Sequence, residues 1–301
     1  MIAPGDHRRG ELPDMTEPLD PSICRLRLRR ALREARIVKG FSQKDVAEAQ
    51  DWSVSKLLRI EGGAVGVSTT DLRALLDMYQ LRDPELVGQL TLWAQAARRS
   101  PLSVYRDVLS AEFLTYLNYE GSAAVVRQWE PLLVPGLLQT ESYARAIIHA
   151  FAPEGRSERI IERQIEARMS RQEVLRQPGA PEMFFILDES VLRRRVGGGV
   201  TMIQQLEHLR EQAERPHISI QILPFAMGAH RNMRTPFVIL EFKEANVEDL
   251  LFLENPRGDL LDRDDGEELA VYLASFWDLE SRALAAAEMV ATIDAVIRDL
   301  A

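Results

Sequence analysis

Between residues 42 and 63, hydroxyls, amides and cations recur at helical spacing. Ser53, Ser55, Lys56 and Arg59 fall on one side of a short segment whose other side is Leu57 and Ile60. Hydroxyls and ammonium groups so placed can bind phosphate oxygens, and a guanidinium can take both acceptors on a guanine edge. Val54, beside them, could meet a thymine methyl. The chemistry is recognition of a polyanion, and a helix with an apolar back and a cationic front suits a DNA major groove.

Two short helices joined by a tight turn must carry these groups. Ser42 and Ser53 are N-caps whose hydroxyls can accept from first-turn amides. Val46 and Ala47 supply the inward face of the first helix. The wider pattern runs Leu28, Leu32, Arg36, Gly40-Phe41-Ser42-Gln43, Val46-Ala47, Trp52-Ser53 and Arg59-Ile60-Glu61-x-Gly63. It resembles the phage-repressor-like (XRE-type) helix-turn-helix family over about fifty residues. The resemblance implies that Gln43 touches backbone phosphate and nearby base edges. It implies that Val54, Ser55 and Arg59 read bases, with Ser53 and Lys56 near phosphates. It also implies a buried ion pair between Arg36 and Glu61, whose role is structural. Val54 and Leu58 depart from the family's more usual polar side chains. Leu58 is expected to pack or to contact another protein.

Charge is unevenly spread. Residues 22–63 hold ten Lys/Arg against five Asp/Glu, whereas residues 240–301 hold five against sixteen, in a chain of net charge −9. One basic module in an acidic chain fits one anionic partner and one solvated body. Whether Arg25, Arg27, Arg29, Arg30 and Arg33 touch phosphate or form a solvated face stays open.

The length of 301 residues and 46% hydrophobic content suit two domains with a sizeable core. The expected division is a disordered tail at 1–21, rich in proline, a DNA-binding domain at 22–100 and a second domain at 101–301. In the head, Ser68-Thr69-Thr70 caps a fourth helix and Asp83-Pro84 starts a fifth, giving an all-α five-helix head. Ser100-Pro101 breaks the pattern, and 102–117 is apolar enough to pack.

Beyond it, the period alternates. Strands are expected at 123–129, 182–187, 217–223, 237–242 and 250–253, the last two as a hairpin. Helices are expected at 140–151, 157–177, 189–195, 201–215, 264–279 and 284–300. That order predicts an α+β domain with a small mixed sheet and several helices. Pro135-Gly136-Leu137-Leu138-Gln139-Thr140, Tyr143-Ala144, Arg168-x2-Arg171-Gln172-x2-Leu175, Asp188-Glu189 and Gln205-Leu206-x-His208-Leu209 together resemble the uncharacterised C-terminal domain of actinobacterial, antitoxin-like helix-turn-helix regulators. The resemblance implies a small protein partner encoded nearby. Arg168, Arg171 and Gln172 could clamp a carboxylate or phosphate, and pairing with Asp188 and Glu189 is the favoured alternative. Tyr143, Arg168, Arg171 and Gln172 form a candidate ligand or partner surface. Leu137 and Leu138 are expected to anchor the turn, with Gln139 holding the loop.

Catalysis and metals find little support. The five histidines have no metal-binding spacing, and one cysteine cannot build a zinc site or a disulfide. Gly197-Gly198-Gly199 reads as a helix stop, although it could bind an anion, and the acidic run 259–266 fails the calcium-loop spacing. No signal peptide or membrane-spanning run is visible. The expectation is a cytoplasmic, non-enzymatic regulator that binds double-stranded DNA as a homodimer. It needs no cofactor, and its second domain takes a protein partner or a small-molecule effector.

Overall fold

The computed structural model describes residues 19–62, 65–98, 101–177, 179–243, 247–254, 260–263 and 266–300. The first element is α1 (Pro21–Val38), where Asp20 accepts from the amides of Ser22 at 2.7 Å and Ile23 at 3.1 Å and Pro21 lies in the first turn. Pro21 is thus helical, one residue inside the expected tail. Residues 1–18 of that tail lie outside the described residues.

Four further helices complete the head: α2 (Gln43–Ala49), α3 (Val54–Glu61), α4 (Thr69–Met78) and α5 (Pro84–Ala96). Side chains of Ser42, Ser53, Ser68 and Asp83 cap the last four. Ser42 and Asp45 form a reciprocal capping box. Between α1 and α2, Gly40 turns at φ +74°. Between α2 and α3, Asp51 holds the left-handed conformation at φ +53°, which Asp tolerates better than most residues. Leu28, Leu32, Val46, Leu57, Ile60, Leu72, Leu75, Tyr79 and Leu90 fill the head's core.

A 3-10 turn (Pro101–Tyr105) and α6 (Ala111–Ser122) lead into the second domain. Residues 99 and 100 of the expected break lie outside the described residues. The remaining order is β1 (Val125–Glu130), a 3-10 turn (Gly136–Leu138), α7 (Glu141–Phe151), α8 (Glu158–Arg171), β2 (Glu182–Asp188), α9 (Glu189–Arg193), α10 (Gly199–Ala213), β3 (Ile218–Leu223), β4 (Phe237–Glu241), β5 (Leu250–Glu254), β6 (Leu260–Arg263), α11 (Gly266–Arg282) and α12 (Ala286–Leu300). The helix expected at 157–177 stops at Arg171. There Gln172, Val174 and Leu175 turn into the core through a 3-10 turn. The strand β6 was not expected, because 259–266 reads as an acidic loop. Asp259, Asp264 and Asp265 of that loop lie outside the described residues.

The sheet runs β3-β2-β1-β4-β5-β6, with β1, β2 and β3 parallel and the rest antiparallel. Alternation gives it two apolar faces. Val126, Met183, Phe185, Leu187, Val238 and Leu240 face α6, α7, α10 and α12, while Trp129, Ile186, Phe237 and Ile239 face α11 through Phe276 and Leu279.

Helix α1 belongs to both units. Leu28 and Leu32 enter the head's core, whereas Ile23 and Leu26 join Tyr116, Leu117 and Tyr119 in the second. Ser22 Oγ also donates to Asn118 O at 3.0 Å. A helix built into two cores cannot tilt in one without disturbing the other.

Candidate nucleic-acid interface

Helix α3 is anchored from below by Leu57 and Ile60, both nearly inaccessible. Its outer side presents Ser53, Val54, Ser55, Leu58 and Arg59, all exposed. Arg59 Nε donates to Ser55 O at 3.2 Å, an arrangement at the helix surface that leaves the guanidinium exposed. Val54 is 40% and Leu58 48% exposed, so about half of Leu58 is left uncovered among the described residues.

The other side chains near α3 are held more firmly. Lys56 Nζ meets Asp71 Oδ1 at 2.8 Å and lies 3.8 Å from the Trp52 ring centroid. Burial pushes the Asp71 carboxyl up, but hydrogen bonds from Lys56 and Ser68 outweigh it and leave its pKa below the usual value. Arg36 donates Nε to Glu61 Oε1 at 2.6 Å and Nη2 to Oε2 at 2.9 Å, both residues buried. Gln43 Nε2 donates to the same carboxylate, 2.9 Å from Oε2. The Gln43 amide therefore faces the ion pair, and its placement for phosphate rests on the half-exposed start of α2.

Of the arginines on α1, Arg25 donates to Ala97 O at 2.7 Å and Arg27 lies 5.9 Å from the Trp93 ring centroid. Buried Arg29 donates to Gly62 O at 3.0 Å and stands 5.8 Å from the Tyr119 ring centroid. Arg30 pairs with Glu34 and, at 3.5 Å, with Glu248 of the second domain. These cations position α3 and join the domains. Arg29 in particular ties the end of α3 to α6, a link no local motif signals. Gly63 lies outside the described residues.

The second candidate surface needs correction. Tyr143 is fully buried, and its hydroxyl accepts from Val134 N at 3.2 Å. Arg171 does not pair with Asp188 or Glu189: it holds Glu120 through Nε at 2.7 Å and Nη2 at 2.5 Å. Asp188 instead caps α9, and Glu189 binds Arg193 and the amide of Phe225. Gln172 Nε2 donates to Gly136 O and Gln139 O, and Arg168 Nη1 to Gln139 Oε1 at 2.8 Å. Gln139 in turn holds Val134 O at 2.8 Å. Of the four residues of the candidate surface, Tyr143, Arg171 and Gln172 are buried inside the domain. A Cβ on Gly136 would lie 2.9 Å from Arg171 Nη1, so glycine admits the guanidinium there.

Residues 113–295 match the model of a family described as a domain of unknown function, DUF5753, and they make up more than half of the chain. The chain belongs to the DUF5753 family. Residues 27–90 match a helix-turn-helix domain. This DUF5753 protein is accordingly a helix-turn-helix regulator with DNA as its partner. No curated protein and no solved structure matches it. Among the described residues, no helix is long and apolar enough to cross a membrane.

Proposed function

We propose that this chain is a cytoplasmic, sequence-specific transcriptional regulator of the XRE, antitoxin-like and actinobacterial kind, acting by binding rather than catalysis. The observation that carries this reading is the outer side of α3. It exposes Val54, Ser55 and Arg59, while buried Arg29 and Arg36 are spent on holding the helix in place. Ser55 and Arg59 read base edges, Val54 meets a thymine methyl, and Ser53, Gln43 and Lys56 set register on the backbone. As a homodimer, two copies of α3 address half-sites about 34 Å apart. The second domain dimerises and takes a small protein partner, as the sequence resemblance implies.

A second reading, a regulator responsive to a small molecule, is favoured by a cavity between α6, α8 and the sheet and an adjoining one between α6, α7 and α8. Selection from a randomised duplex library tests the main reading. A paired motif with half-sites about one helical turn apart is expected. No enrichment, or an unpaired motif bound by a monomer, overturns it.

A further inference from the structure

Strand β1 carries a polar residue where its pattern demands an apolar one. Val126, Gln128 and Glu130 share the face turned toward α6. Val126 is core, but Gln128 is 95% buried and its Oε1 has no hydrogen-bond partner. Its Nε2 donates to Glu130 Oε1 at 2.8 Å. A buried amide oxygen left unmade is costly unless something else completes it.

Gln128 lines a cavity of about 170 Å³ between β1, β4, α6 and α8. Arg171 borders it too. This guanidinium is 92% buried and spends Nε and Nη2 on Glu120 and Tyr116, while Nη1 makes no hydrogen bond among the described residues. The Tyr116 phenol is pushed well up by burial and by Glu120, so it stays a donor to Glu120 Oε1. Arg168 and Glu130 complete the polar lining, with Phe113 and Phe252 among the apolar walls. A second cavity of about 200 Å³ adjoins it through Phe113, Ile147, Phe151 and Arg168. The space sits at the carboxyl end of β1, where open sheets of this kind take ligands.

We propose that this cavity binds a small zwitterion of the amino-acid class: its carboxylate meets Arg168 and Arg171 Nη1, and its ammonium meets Glu130 and, once the Gln128 amide turns toward the cavity, Gln128 Oε1. The size suits a single amino acid with an apolar side chain rather than a larger effector. The proposal rests on the ligand-responsive reading. The route to DNA is continuous, since Tyr116 walls the cavity, α6 packs on α1, and Arg29 joins Tyr119 to Gly62 at the end of α3.

The test is calorimetry and thermal melting of the full chain with each standard L-amino acid, alongside an operator-binding assay. At least one amino acid with an apolar side chain is expected to bind and raise the melting temperature. Gln128→Leu removes the unpaired oxygen without leaving a hole, so it is expected to melt no lower than wild type yet weaken binding about tenfold or more. Gly136→Ala, which pushes Arg171 Nη1 aside, is expected to weaken binding as well and to lower the melting temperature, because the buried Arg171–Glu120 pair must shift. No binding by any amino acid overturns the proposal, as does binding that both variants retain. Intact operator binding in either case leaves the DNA reading standing, and loss of operator binding with amino-acid binding intact does the reverse.

Discussion

Arg36 and Glu61 show what a single pair does for the interface. The carboxylate at the end of α3 takes two bonds from Arg36 and one from Gln43, so three elements meet at one buried charge. Replacing Glu61 with Ala strands Arg36 and is expected to cost about 3–5 kcal/mol, read by denaturant unfolding of the head. A loss below about 1 kcal/mol would mean the pair is incidental. Asp71 gives a pH signature. Its folded pKa lies below the ordinary carboxylate value, so its contribution is present above that value and is lost as pH falls through the depressed one. Asp71→Asn is expected to flatten part of the head's stability loss below about pH 4, followed by circular dichroism. An unchanged acid limb would assign the loss to other carboxylates. The caps and the inward residues were legible, because spacing and residue type determine them, whereas the Arg36–Glu61 partnership was legible only through the family resemblance. The inward turn of Gln43 was not, since its amide can serve phosphate or carboxylate equally well.

Among elements, α1 is the one whose role periodicity could not reveal. Its apolar residues say which sides are buried but not against what. Ile23 and Leu26 prove to pack on α6, while Leu28 and Leu32 pack on α3 and its neighbours. Cys24 sits at this junction, 1% exposed, with burial pushing its thiol up to about 11 despite the opposing charge of Arg27. Iodoacetamide at pH 8 is therefore expected to label the native chain slowly and the urea-unfolded chain fast, followed by mass spectrometry. Rapid native labelling would show α1 leaving the second core. The strands were largely legible, β3 from the alternation of Ile218, Ile220 and Ile222 and β1 and β2 from apolar composition. The buried Tyr143, Arg171 and Gln172 were misplaced because one helix face cannot reveal that Glu120, on another element, lies opposite.

For the whole molecule, charge separates binding from bulk. The head's local excess of cations lies in an acidic chain, so affinity for DNA depends on a short cationic face rather than on net charge. A dimer making about six phosphate contacts is expected to lose on the order of 10³-fold in affinity between roughly 50 and 200 mM salt. A flat salt profile by fluorescence anisotropy would point to a surface that avoids phosphate. The two-domain division and its α+β second half were legible. The joint was not, because Arg29, Tyr119 and Gly62 are distant in sequence and joined only by the fold.

The most direct measurement is a mobility-shift titration on the DNA upstream of the gene, with excess random competitor, of wild type against the Ser55→Ala/Arg59→Ala double variant. Both side chains are exposed and outside either core, so the variant should melt as wild type does. A competitor-resistant shift by wild type is expected, weakened in the variant by about tenfold or more. Equal, competitor-resistant shifts by both proteins would contradict recognition through the outer side of α3.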